Sequence, residues 1–440
     1  MENKSFFAGL VLIFFSVTVQ SPVFASDSLK YVLEGIQDYY ESKDSIAELK
    51  EDIEANPSNP DNYIALAYIY DTIGLYNEEV KMLNKAAELI LDSDKEKDLI
   101  YLSIGEAYIK LNKWSKARSF IEKALSLNPE NIQTLGTLAK AKLYERDFKG
   151  AAKLIKQLSV KEKELDIYYD FYIYSLELFA GFDGPREFFE ACAKTDPDNY
   201  MARRAYGVAL RGLGDSSDEM FAKAIKEMER ALELNPQYIP TYISLADSYM
   251  LRGFHKKDDN LFVFAQEWFD KGYKINPKDL RLSYAMGNFF LYKKDYYKAI
   301  EKLEFALEGG LEDIQVVNLL TEAYNNQAYS LYKEGKDLEK GLVLIDKALK
   351  MSPYNGILIG TKAELLYKLG RYNEAFTMIK RALQLEPDNA ELRDDYNRIL
   401  SSLQSKEGEK NGKKGYEKLK APLGDIIEES SDDPVINFEK

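Results

Sequence analysis

From Leu111 to Asn131 the chain reads LNKWSKARSFIEKALSLNPEN. Ala117, Ile121 and Ala124 fall at spacings of four and three, which puts them on one stripe of a helix. The same grammar returns from Leu369 to Asn389 as LGRYNEAFTMIKRALQLEPDN, with Tyr372, Ala375, Ile379 and Ala382 in the matching places. Ahead of the first copy stands a second amphipathic stretch, with Tyr101, Ile104-Gly105 and Tyr108 at intervals of three. The pattern therefore predicts a first helix, a turn, a second helix opened by an aromatic residue, and a proline stop. Gly105 and Ala117 are small where two helices must cross closely. Trp114 fills the notch at the turn, and Pro129 cannot continue the helix.

Aligning the proline endings gives the period. Pro353 and Pro387 are 34 residues apart, and the spacings among Pro129, Pro236, Pro277 and Pro353 are multiples of 34 with short insertions. Units are expected at 26–59, 60–97, 98–131, 132–165, 166–199, 200–238, 239–279, 280–321, 322–355 and 356–389. The unit at 26–59 lacks most small residues. At 60–97 Glu79 stands where an alanine is expected, and at 166–199 Pro185 does, so that second helix starts late or is kinked. The stretch LEDIQVVNLLTEAY ahead of Asn325 lengthens a first helix.

The set Ala363, Gly370, Tyr372, Ala375, Ile379, Ala382 and Pro387 resembles the tetratricopeptide repeat, with similar sets at 98–131 and 280–309. The resemblance covers about 26–389. It implies an all-α, right-handed superhelical solenoid of about nine to ten helical hairpins, each burying its face against the next.

The flanks differ in composition. Residues 390–403, AELRDDYNRILSSL, read as an amphipathic helix capping the last hairpin, and 404–440 as a disordered tail, basic and then acidic. At the other end Lys4 precedes an apolar run from Phe6 to Val19, then Pro22 and Val23-x-Ala25. This pattern predicts a secretory signal over 1–25, cleaved before Ser26. No later segment is long and apolar enough for a membrane helix, so the mature chain is expected outside the cytoplasm, periplasmic or extracellular.

A formal charge of −14 argues against nucleic-acid binding, which rests on neutralising phosphates. One His and one Cys leave little for catalysis or a metal. His255, in GFHKKDDNLF, reads as a solvated loop residue. Cys192 occupies a second-helix slot that holds Ala124, Ala231, Ala306 and Ala382 elsewhere, so it reads as a small packing residue. No enzyme activity, cofactor or metal is expected.

The surface with functional potential is the inner one, formed by first helices. Its expected lining is Ile64, Tyr68, Leu102, Glu106, Ile109, Lys140, Tyr144, Tyr174, Arg204, Asp247, Met250, Tyr284, Asn288, Tyr292, Glu364 and Tyr367. Tyrosines and aliphatics with charges of both signs suit a protein or peptide partner. Asn288 and Asn326 lack the Lys/Asn/Arg set by which some tetratricopeptide proteins clamp a terminal carboxylate. The resemblance implies a non-enzymatic scaffold of the bacterial cell envelope; the alternative is a periplasmic chaperone or adaptor holding one extended client or regulating a polysaccharide-export or synthase partner. Self-association is not indicated.

Overall fold

The computed structural model describes residues 45–411 except 92–96, 162–165, 180, 182, 213–216 and 312. The expected signal segment 1–25 and most of the expected tail lie outside the described residues. Those described are helices joined by short turns, with no strand among them. The chain divides into two compact units, Met1–Trp268 and Phe269–Lys440.

The first unit contains α1 (45–55), α2 (Pro60–Thr72), α3 (Tyr76–Leu89), α4 (Lys97–Lys110), α5 (Trp114–Leu127), α6 (Ile132–Tyr144), α7 (Phe148–Lys161), α8 (Ile167–Leu178), α9 (Asp183–Thr195), α10 (Tyr200–Arg211), α11 (Asp218–Leu234) and α12 (Ile239–Lys256). The division between units runs through α13 (Asn260–Ile275). The second unit continues with α14 (Leu280–Tyr292), α15 (Tyr296–Glu308), α16 (Ile314–Glu334), α17 (Leu338–Met351), α18 (Gly356–Lys368), α19 (Tyr372–Leu385) and α20 (Ala390–Asn411). Apart from α12 and α13, the helices from α2 to α19 pair as hairpins, and within each unit a second helix packs on the first helix that follows it.

Three local devices repeat. Two residues after the proline, an Asn or Asp side chain caps the next first helix. Asn131 accepts from Thr134 N at 3.0 Å, Asp279 from Leu282 N at 2.9 Å and Asn355 from Leu358 N at 3.2 Å. First helices end alike: the residue seven places after the small crossing residue is left-handed in Gly74, Asn112, Arg146, Lys294 and Gly370. The next amide then reaches back five residues, as Lys113 N does to Tyr108 O at 2.8 Å and Arg371 N to Leu366 O at 2.9 Å. The crossing itself is tight. A Cβ on Gly105 would lie 2.5 Å from Ile121 Cγ1 and 3.3 Å from Ala117 O, which is why the sequence keeps both positions small.

The core follows the stripe. Ala117, Ile121 and Ala124 are fully buried, as are Ala375, Ile379 and Ala382. In the first unit a continuous cluster runs from Leu102 through Phe188, Phe189 and Cys192 to Met228 and Leu245. Pro185 sits in the first turn of α9, where its missing N–H has no intrahelical acceptor to lose. The extra residues before Asn325 give α16 its 21-residue length.

Two expectations change. His255 belongs to the last turn of α12, not to a loop, because that helix continues to Lys256 and closes at left-handed Lys257. The final helix runs to Asn411, past the expected end at 403.

Candidate inner faces of the two units

Counted from the small residue of each first helix, the expected lining clusters at minus three, plus one, plus four and plus five. These offsets share one helix face. In the first unit the face is largely engaged by the next first helix. Glu106 accepts from Gln133 Nε2 at 3.2 Å and Thr137 Oγ1 at 3.4 Å. Lys140 is exposed and lies over the Tyr174 ring, 5.4 Å from its centroid. Ile64 and Ile109 are half-buried against apolar clusters.

Arg204 is the centre of a buried polar network. It is ion-paired with Asp166, and its Nε donates to Ser244 Oγ at 2.9 Å and Pro240 O at 3.2 Å. Tyr238 donates its hydroxyl to Asp166 at 2.7 Å, while burial pushes its pKa up. Burial also raises the carboxyl of half-buried Asp247 to about 6, against the pull of Arg211 and Arg204.

In the second unit Tyr284 donates to Gln315 Oε1 at 3.2 Å, and Asn288 and Tyr292 are half-buried. The final helix occupies the face of α18. Arg398 lies 3.3 Å from Glu364 and 4.7 Å above the Tyr367 ring, and Tyr367 shares a 2.9 Å hydrogen bond with Ser402. Burial raises the Glu364 pKa.

The expected exposed lining therefore loses four members. Leu102, Arg204, Met250 and Glu364 are 2%, 6%, 2% and 9% exposed. Leu102 and Arg204 are covered because the following first helix packs over that part of the face, and Glu364 because the final helix does. Two members stand out in the opposite sense. Tyr68 is 74% exposed and Tyr144 42%. Tyr144 is held rigidly, stacked on Trp114 with ring centroids 3.9 Å apart and planes 16° off parallel.

The structure adds apolar residues at the opening of first helices. Leu99 and Ile132 are exposed in the first unit, and Ile314 and Ile357 in the second. For Ile132, Ile314 and Ile357 the signal was the Asn or Asp cap close before them, which marks the first turn. A cavity of about 270 Å³ in the second unit, lined by Tyr273, Ser283, Glu304 and Phe305 among others, lies outside the expected lining.

The groups considered for chemistry behave as packing or surface. Cys192 is fully buried, and burial pushes its thiol well above the usual range. His255 is exposed. Among the described residues no group of three or more His, Cys, Asp or Glu is placed to hold a metal ion, and no helix is long and apolar enough to cross a membrane.

Among curated proteins, the chain is 25% identical over 184 residues to BBSome complex member BBS4 of Bos taurus, covering 42% of this chain and 32% of the relative. The chain thus spans about a third of that protein's length. It is 21% identical over 389 residues to the TPR repeat-containing protein YpiA of Bacillus subtilis, covering 82% of this chain and 80% of the relative. Among solved structures, a tetratricopeptide repeat protein from Parabacteroides merdae aligns over 60% of this chain and 98% of its own, at 15% identity and a TM-score of 0.32. Tetratricopeptide repeat family models match residues 60–92, 99–131 and 358–389. These are hairpins α2–α3, α4–α5 and α18–α19, built on the crossing, turn and cap described above; the chain carries tetratricopeptide repeats in these hairpins.

Proposed function

We propose that this chain is a non-enzymatic scaffold that binds partner proteins or peptides through the first-helix faces of its units, and that it works after export, in a bacterial cell envelope. The observation that carries the binding reading is the contrast on those faces. Most inner side chains are committed to neighbouring helices, whereas Tyr68 and Tyr144, one and five places after the small residues Ala67 and Ala139 of their helices, present large rings to solvent from the same helix face. Exposed rigid aromatics are typical anchors of protein interfaces. The bovine relative, by its name a member of a complex, agrees with an assembly role. The export reading rests on the Lys4, Phe6–Val19 and Val23-x-Ala25 pattern.

The test uses the chain from Ser26 onward, immobilised and exposed to envelope extract. A specifically retained protein should be lost by at least about tenfold in the Tyr68→Ala, Tyr144→Ala double variant, with helical circular dichroism unchanged. Undiminished retention by that variant counts against the binding reading. Amino-terminal sequencing of the exported protein should begin at Ser26; recovery of the intact chain only in the cytoplasm counts against export.

A further inference from the structure

Hairpin α2–α3 breaks the repeat's own rule. In the slot where α5 places Ala117, α7 Ala151, α15 Ala299 and α19 Ala375, all fully buried, α3 places Glu79, which is only 5% exposed. One of its carboxylate oxygens, Oε2, is buried with no hydrogen-bond partner. A desolvated carboxylate in that state is costly.

The surrounding charges do not rescue it. Asp71 faces it from α2, and Glu106 and Lys110 face it from α4. Lys110, the nearby cation, is ion-paired to Asp71 and lies 5.2 Å from the centre of the Tyr76 ring. On α3 itself, Glu78 points outward and pairs with Lys81 at 2.7 Å. Three carboxyl groups thus converge from three helices at the junction between this hairpin and the next, with one lysine among them.

We propose that Glu79 makes the packing of hairpin α2–α3 against hairpin α4–α5 proton-dependent: its neutral carboxyl closes the junction, and its ionisation loosens it. Burial first, and then the charge of Asp71, push the Glu79 carboxyl from its ordinary 4.5 to about 7. The packed state therefore favours the proton. Packing is tightest below about pH 4.5, weakens as pH rises from 4.5 to 7, and stays weakened above that. The device is independent of whether Tyr68, on the same hairpin, contacts a partner.

Hydrogen–deuterium exchange of the full chain at pH 5 and pH 8, corrected for intrinsic rates, tests it. Protection of 76–89 should fall at least about tenfold at the higher pH, while 372–385, built on Ala375, keeps its protection. Glu79→Ala, which restores the residue used by the other hairpins, and Glu79→Gln, which keeps the size without the titration, should both abolish the difference. Asp71→Asn should move the midpoint to lower pH. Equal protection of wild-type 76–89 at the two pH values, or a difference that survives in Glu79→Gln, would overturn the proposal.

Discussion

Hairpins α2–α3 and α4–α5 are written on one plan and make opposite choices. A shift of 38 residues aligns Ala67 with Gly105, Tyr68 with Glu106, Gly74 with Asn112 and Glu79 with Ala117. In α4–α5 the crossing is closed by Ala117 and Ile121, both fully buried, and Glu106 is spent on Gln133 and Thr137 of α6. In α2–α3 a carboxyl group fills the crossing slot, and the residue aligned with Glu106 is a tyrosine turned to water. The repeat fixes backbone geometry through a few small, capping and turn positions. It leaves the remaining positions free to serve packing in one hairpin and titration or contact in another.

The comparison is broken most strongly by moving the carboxyl. Ala117→Glu puts an unpaired charge into a closed crossing and should cost about 3–5 kcal/mol at pH 8. At pH 5 the cost should be visibly smaller, because the neutral acid is easier to bury; urea unfolding at the two pH values reads both. Gly105→Val keeps the charge pattern and attacks the crossing sterically. With Ile121 Cγ1 2.5 Å from the new Cβ, a loss of about 2–3 kcal/mol is expected by the same measurement. The smallest effect sharpens the comparison at the turn. Gly74→Ala should lose about 1 kcal/mol, since a Cβ is disfavoured in the left-handed region, while Asn112→Gly should change stability by about 0.5 kcal/mol or less, because Asn tolerates that region; thermal midpoints of the two variants check the asymmetry.

Much of this plan was legible in the sequence. The stripe of Ala117, Ile121 and Ala124, the aromatic at Trp114, the small pair Gly105 and Ala117, and the proline stop are all properties of one hairpin, and local periodicity reports them. The 34-residue spacing carried the repetition, and the odd residue Glu79 stood out against it. The inner face was less legible. Whether Leu102, Arg204 and Glu364 meet water depends on how far the next first helix or the final helix covers them, which is set by insertions and by packing between hairpins, not by register within one. Arg204 shows this: its partners are Asp166, just ahead of α8, and Ser244 of α12, 38 and 40 residues away. His255 failed for a related reason, since a polar run reads as a loop until tertiary packing extends the helix through it.

The most direct measurement of the contact account is site-specific photocrosslinking in the producing cell. A photoreactive phenylalanine placed at 68 or 144, on the first-helix face, should capture the same partner protein. The same probe at Val160, which is 61% exposed on second helix α7, should capture it weakly or not at all. Equal capture from position 160, with none from 68 and 144, would contradict the claim that the first-helix face of this unit is where the protein meets its partner.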